Sequence, residues 1–500
     1  MNIARLALTS LSVGEHVSII YEGGEYTNVQ MDRAAQKLGN ALKKLGVKRG
    51  DRVILQMPNS PEVLQSFQAI WKIGAIAVPI NYQIGVEETA YIYQDSGAKV
   101  IITVQEYMNK VNQARLASPE IRHIIALTQE ASDGVLSYEE ILRHAPDDLN
   151  IVEMDNGEIA ALVYTSGTTG RPKGVMQTHY ALYYTALKVQ ETNNYPMDAV
   201  NVAMLPLCHS YGIGVMNSTN LRTHGKTVIL RQFNVEKLFS AIEKYKVTSV
   251  AAVPTMYIHM LNYPDYKKYD LSSVKHFICG SAPLSMETWR QFKEKFNGEI
   301  AEGWGLTEAC ANNSVNPIYG IKKVGSIGKP MVGMEIKIFD ERGREVPPGT
   351  EGEIVLKGPM VMKGYWKQPE ATAEVIKNGW LHTGDIGYQD EDGYFFITDR
   401  KKDIIIKGGE NISPRAIEEV LYTHPDVAEA ACIGMPDKIY GEDIKAFVVL
   451  KAGKKAHSDE IMKYCGEKLK KFFMPKEVVI LEEMPKTLVG KILKKELRKM

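Results

Sequence analysis

Tyr164-Thr-Ser-Gly-Thr-Thr-Gly-Arg-Pro-Lys-Gly-Val175 is the stretch on which the reading of this chain turns. It follows an apolar run, Ile159-Ala-Ala-Leu-Val163, that reads as a strand. Three glycines, two of them three residues apart, allow tight backbone turns and leave amide N–H groups free. Thr165, Ser166, Thr168 and Thr169 add short hydroxyl donors, and Lys173 adds a mobile cation. Such a loop is built to wrap polyphosphate oxygens. It is not a Walker A loop, because Arg171-Pro172 separates Gly170 from Lys173. Pro172 also prevents a phosphate-capping helix from starting directly at the glycines.

Working outward, strands and helices alternate. Val29 to Leu45 carries one apolar helical stripe, Val53 to Met57 reads as a strand, and Ser60-Pro61 reads as a helix start. Ala75 to Ile80 is a further strand, Val86 to Asp95 a helix and Val100 to Val104 a strand, and the rhythm returns from Ile159 to Glu302. Continuous apolar strands between amphipathic helices imply parallel α/β sheets covered on both faces. From about 320 to 397 the texture turns to Gly, Pro and short alternating segments, which predicts a small antiparallel β unit. A fresh pattern begins after the charged cluster Asp399 to Asp403: Ser413-Pro414 starts a helix, Val427 to Ile433 and Ile444 to Leu450 read as strands, and Ser458 caps another helix. The expected architecture is therefore a large N-terminal α/β domain over 1–400, including the β unit, and a small α+β domain over 401–500.

At roughly 150 residues per domain, 500 residues are too many for one core. Sixty basic residues balance sixty acidic ones, which argues against a dedicated nucleic-acid binder. Five cysteines, with no CxxC pair and no His at zinc spacing, favour a reducing compartment, and a cytoplasmic protein is expected. The start, Met1 to His16, reads as a mature N-terminus, and the last residues are no targeting address. The longest apolar run, Gln68 to Ile80, is broken by Lys72 and Pro79 and is shorter than a membrane span requires. No G-x-G-x-x-G follows the first strands, which removes a Rossmann dehydrogenase.

Four further stretches present chemistry, each with a plainer reading. His209, in Leu205-Pro-Leu-Cys-His-Ser-Tyr-Gly212, alone reads as a structural histidine. Trp304, in Ala301-Glu-Gly-Trp-Gly-Leu-Thr-Glu308, sits between glycines and is expected to expose a ring face to a base or pocket; Thr307 can donate to a phosphate and Glu308 can hold Mg²⁺, the plainer readings being a buried Trp and a helix-starting Glu. Asp385, in Trp380-Leu-His-Thr-Gly-Asp385, reads equally as an Asx-turn residue. Lys491, in Pro485-Lys-Thr-Leu-Val-Gly-Lys491, reads equally as part of a basic tail.

The phosphate loop resembles the signature loop of the adenylate-forming superfamily, which contains acyl- and aryl-CoA synthetases, firefly luciferase and the adenylation domains of peptide synthetases. The other stretches follow in that family's order from 164 to 491, so the resemblance covers essentially the whole chain. It implies ATP, Mg²⁺ and coenzyme A as partners of a small carboxylic acid. By resemblance, Thr165, Ser166, Gly167, Thr168, Thr169, Gly170 and Lys173 meet the phosphates. Gly280, Ser281 and Ala282, in Cys279-Gly-Ser-Ala-Pro-Leu284, together with Glu302, Gly303, Trp304 and Thr307, line the nucleotide site. Asp385 and Arg400 take the ribose hydroxyls and Glu308 the metal. Lys491 is the mobile catalytic lysine, beside His209, Thr307 and Glu308. His209, Tyr211, Gly280, Trp304, Gly305 and Cys310 form the acyl pocket. Lys402 is the hinge, and Lys407, Gly408 and Gly409 border the coenzyme A tunnel.

The resemblance implies a carboxylate–CoA ligase that rotates its small domain between two half-reactions, with a fatty or other aliphatic acid favoured. An aryl acid is the main alternative. Amino-acid relatives place Asp where this chain has His209, so a substrate ammonium lacks its expected anchor. A luciferase-like oxygenase shares the motifs, and a non-catalytic nucleotide sensor has no need for both Glu308 and Lys491. Peripheral membrane contact and homodimer formation stay open.

Overall fold

The computed structural model describes residues 1–132, 134–165, 171–193, 196–217, 224–487 and 490–500. Two sheets form the large N-terminal part. One runs, among the described residues, in the order Val135–Ser137, His123–Leu127, Val100–Val104, Arg52–Gln56, Ile76–Pro79, Ile159–Thr165, Lys173–Thr178. Its pairs are parallel except the last. The other is parallel from Ile300–Trp304 through His276–Cys279, Ser249–Ala252, Val200–Ala203 and Lys226–Ile229 to Val17–Tyr21, with antiparallel strands at both edges. The sheets are thus parallel, as expected, with antiparallel strands added at the edges. At the phosphate loop the reason is local: Pro172 blocks a helix, the chain doubles back, and Thr165 pairs with Lys173 as the hairpin closes.

The helix Pro61–Lys72 is buried on every side except Glu62, and it takes the polar Gln65, Ser66, Gln68 and Lys72 inside with its apolar residues; the Lys72 ammonium pairs with Asp32 at 2.7 Å. Phe67 and Trp71 stack within it, with ring centroids 5.2 Å apart. The Trp71 indole N–H donates to the Ala160 carbonyl at 3.0 Å, so this core helix is pinned to the strand that feeds the phosphate loop. Ser60 takes the N-cap position, but its hydroxyl makes no cap bond.

The expected β unit is antiparallel: Glu335–Phe339 pairs with Gly352–Lys357, which pairs with Trp380–Gln389, which pairs with Phe395–Arg400. The small C-terminal part builds its own sheet from Ile405–Lys407, Glu410–Ile412, Val427–Asp437, Gly441–Leu450 and Glu477–Leu481. Helices Pro414–Tyr422 and Ser458–Lys468 close a separate core around Ile405, Leu421, Cys432, Val448 and Ile461. Ser458 is the first helical residue and His457 the N-cap, a shift of one from expectation; the Glu460 carboxylate reaches back to the His457 amide. All five cysteines are buried and unpaired. Burial pushes the Cys208 and Cys310 thiols up to about 12 and that of Cys465 up to about 11.

Candidate active site

Asp385 and Arg400 face one another across the last strand pair of the β unit. The Arg400 Nε–H donates to Asp385 Oδ1 at 2.7 Å. The Trp304 indole N–H donates to Oδ2 of the same carboxylate at 2.9 Å. Asp385 is almost fully buried, and a buried carboxylate must find such partners. The exposed ring face expected of Trp304 is corrected here. Its side chain belongs to the core, and the buried indole N–H turns to Asp385 because it too needs an acceptor.

Glu308 is the middle residue of a short 3-10 turn, Thr307–Ala309, that follows the strand Ile300–Trp304. The Tyr365 hydroxyl donates to Glu308 Oε1 at 2.9 Å, while the Met362 amide donates to the Glu308 carbonyl at 2.7 Å. Burial and that neighbouring carboxylate hold the Tyr365 phenol far above its ordinary range. The Lys173 ammonium lies 4.9 Å from the Tyr365 ring centroid. Tyr365 therefore joins the phosphate-loop lysine to the candidate metal ligand. Sequence reasoning missed it, since it lies 57 positions from Glu308 in a segment without a motif of its own.

Behind these groups, the Gln177 side-chain N–H₂ donates to the Ser210 hydroxyl and to the Thr307 carbonyl, both at 2.9 Å. Ser210 is the neighbour of His209. Burial, and then the nearby Lys491 ammonium, pull the His209 imidazole down to about 4, so it is neutral at pH 7. Its Nδ1 accepts the Tyr211 amide at 3.4 Å, which leaves the other ring nitrogen to carry the proton.

Lys491 comes from the small C-terminal part. Its loop closes through the Thr487 amide to the Lys491 carbonyl at 2.8 Å and the Lys491 amide to the Thr487 hydroxyl at 3.1 Å. Gly490 has φ +74°, and a Cβ there would stand 2.6 Å from Thr255 Oγ1, so only glycine lets the loop seat on Val253 and Thr255. Enclosure by protein, followed by the Arg400 charge, pulls the Lys491 ammonium down to about 8. Asp385, Arg400, His209 and Lys491 thus converge from distant parts of the chain.

Several contacts join the small part to the large one in this position, among them the Arg415 guanidinium donating to the Ile397 carbonyl. The Ser413 hydroxyl donates to Asp399 Oδ2 at 2.7 Å and to the Thr398 carbonyl at 3.0 Å. The Met286 amide donates to Glu419 Oε2 at 3.2 Å. Lys402, on the turn between these strands and helices, is exposed.

Ser166, Gly167, Thr168, Thr169 and Gly170 lie outside the described residues; Thr165 and Lys173 form the feet of their loop. Gly280 is half-buried, Ser281 exposed at φ +74° and Ala282 half-buried, beside Gly303. Glu302 clamps two neighbouring segments. Its carboxylate accepts the amides of Gly325 at 3.1 Å and Leu284 at 3.4 Å, and burial pushes it up to about 7. Tyr211 and Gly305 are half-buried, whereas Cys310 is fully enclosed and lends a pocket no surface. The Lys407 ammonium is buried against Asp443 at 2.5 Å, inside the small part. Gly408 and Gly409 stay exposed with φ +58° and +86°, the two positive angles of a two-residue hairpin between Lys407 and Glu410.

Residues 11–366 match the AMP-binding enzyme family, and residues 416–491 match the AMP-binding enzyme C-terminal domain. The feruloyl-CoA synthase of Amycolatopsis sp is 37% identical over 486 residues, covering 97% of this chain and 96% of that protein. The long-chain-fatty-acid–CoA ligase of Bacillus subtilis (strain 168) is 36% identical over 511 aligned residues, covering 97% and 91%. The crystal structure of the anthranilate CoA ligase AuaEII in complex with anthranoyl-AMP superposes with a TM-score of 0.95 at 31% identity, covering 100% of this chain and 97% of that one. With the adenylation motifs brought together and the likeness running the length of the chain, this protein belongs to the AMP-binding enzyme family, as an AMP-forming acyl-CoA synthetase of the adenylate-forming superfamily.

Proposed function

We propose that the enzyme adenylates a carboxylic acid at the Asp385–Lys491 site and then passes the acyl group to coenzyme A. The observation that carries this is the convergence of Lys491 with Arg400, Asp385 and His209. A carboxylate is a poor acyl donor because its leaving group would be oxide. In the first step its oxygen attacks the α-phosphorus of ATP and pyrophosphate departs. Negative charge builds on the phosphate oxygens, and the Lys491 cation and the 165–173 loop stabilise it. Asp385 orients the ribose hydroxyls, with its own geometry fixed by Arg400 and Trp304. The neutral His209 sits beside the acid without adding a cation.

Glu308 fits Mg²⁺. Tyr365 fixes one carboxylate oxygen, and the other makes no hydrogen bond among the described residues; a single protein carboxylate suits an ion that keeps waters and phosphate oxygens as its other ligands. When bound, the ion would neutralise charge on the departing pyrophosphate.

In the second step the coenzyme A thiolate attacks the acyl carbon, and AMP leaves. The small domain, from 401 onward, turns about Lys402, withdrawing Lys491 and presenting the Gly408–Gly409 hairpin tip to the narrow pantetheine chain. Breaking the Ser413–Asp399 and Met286–Glu419 bonds is part of that turn. Buried, unpaired cysteines support a cytoplasmic setting, and no helix among the described residues is long and apolar enough to cross a membrane.

For the acid we favour an aliphatic chain, which the name of the Bacillus relative supports. An aryl acid is the second reading, supported by the feruloyl-CoA synthase and anthranilate ligase likenesses. One incubation with ATP, Mg²⁺, coenzyme A and a mixed pool of aliphatic, aryl and amino acids, read by mass spectrometry, decides between them. A CoA thioester identifies the acid. Acyl-adenylate without thioester would refute coenzyme A as acceptor, and neither product would refute the activity.

A further inference from the structure

Gln177 belongs to none of the motifs. It lies four residues past Lys173 on the strand Lys173–Thr178, paired with Ala161, and its side chain is completely buried. One amide nitrogen reaches two separate elements: the Ser210 hydroxyl, in the loop that carries His209, and the Thr307 carbonyl, at the start of the turn that carries Glu308. The Thr307 carbonyl can only accept, so the nitrogen must face it and the orientation of the amide is fixed. The carbonyl oxygen, Oε1, is then left buried with no hydrogen-bond partner among the described residues. An unpaired buried acceptor is a liability that an apolar residue of similar volume would avoid. The side chain is therefore better explained by what its nitrogen joins than by stability.

We infer that Gln177 is a positioning residue for adenylation, tying the phosphate-loop strand, the His209 loop and the Thr307–Glu308 turn into one rigid unit through its side-chain N–H₂ group. This rests on the adenylation reading of that site. It touches no substrate itself. Its effect is geometric: groups that must meet at one phosphorus are carried on three elements, and sub-ångström slippage among them lowers the rate steeply. The thioester step, in which Lys491 has left and a thiolate attacks an already activated carbonyl, does not need those elements in register.

The test is Gln177→Leu, which keeps the volume and removes both the linking N–H groups and the orphaned oxygen. Adenylation is followed by pyrophosphate exchange with ATP and a pool of aliphatic and aryl acids; the second step is followed by supplying preformed acyl-adenylates of the same acids with coenzyme A. Wild-type rates measured alongside test the overall reading separately. We expect adenylation kcat to fall at least tenfold, the second step to stay within twofold, and the melting temperature to hold or rise. Equal effects on both steps, or no effect on either, overturn the inference. Ser210→Ala removes only one partner of the same nitrogen and provides a second, milder probe that does not depend on the first variant folding. It should slow adenylation by about two- to fivefold and do so far less in the Gln177→Leu background. Strictly multiplicative losses in the double variant would also overturn it.

Discussion

The Trp304 indole N–H and the Asp385 carboxylate are 81 positions apart in sequence and 2.9 Å apart in space. With Arg400 on its other oxygen, Asp385 is oriented before any ligand arrives. Trp304→Phe keeps a ring in the core and deletes only the donor, leaving a buried charge short of a partner. That costs about 1–3 kcal/mol, of which the share lost from ribose orientation should raise the ATP KM by about tenfold. Pyrophosphate exchange at varied ATP measures it, and an unchanged KM refutes the assignment of Asp385 to the ribose.

Lys491→Ala should abolish acid-dependent pyrophosphate exchange and leave conversion of supplied acyl-adenylate to thioester near normal. Separate assays of the two half-reactions check this. Normal exchange in the variant removes Lys491 from the mechanism.

The same lysine sets a pH limit. Its ammonium loses its proton near pH 8 instead of the ordinary 10.5. The cation is the useful form, so the adenylation rate should fall as pH rises through about 8. Lys491→Arg, whose side chain stays charged, should remove that limb while lowering the maximum rate. Stability moves the other way. Between pH 8 and about 10.5 an unfolded chain holds a proton that the folded chain has released, so this site favours the fold more as pH rises. A pH profile that is flat across 8 in the wild type contradicts both statements.

Tyr365→Phe deletes the donor to Glu308 Oε1 without touching the carboxylate. Loss of an orienting partner behind a metal ligand commonly weakens metal affinity by about 10–100-fold. Titration of adenylation with Mg²⁺ should show a higher half-saturating concentration at little change in maximum rate. A lowered maximum with an unmoved midpoint would place the metal elsewhere.

Lys402→Pro fixes φ at the proposed hinge. Thioester formation from supplied acyl-adenylate should fall more than adenylation, because the observed position already suits the first step. Equal losses would argue against a hinge there.

Much of this was legible in the chain. The alternation of apolar strands and amphipathic helices sufficed for the two sheets because periodicity reports burial directly. At the phosphate loop the strand that leads in was legible, and the flanks are the described part: Ile159–Thr165 leads in and pairs with Lys173–Thr178. What escaped was every feature decided by a distant partner. Trp304 was expected to expose its ring, yet the need of its N–H for an acceptor, met by Asp385, places it inside. For Lys407 the sequence offers no sign of an ion-pair partner, and only the fold brings Asp443 beside it. Tyr365 and Gln177 carry no local signature, because their roles consist of meeting Glu308, Ser210 and Thr307.

The burial of all five cysteines bears on chemical compatibility. An enzyme that handles a free thiol as co-substrate runs the hazard of exchanging with it, since any surface thiol that became oxidised could form a mixed disulfide with coenzyme A. Such exchange requires a thiolate that is both ionised and reachable. Here Cys208, Cys310 and Cys465 hold their protons well beyond physiological pH, and all five side chains are enclosed. The protein is in effect inert toward the reactive group of its own partner, and alkylating reagents should leave the native fold unlabelled until it opens.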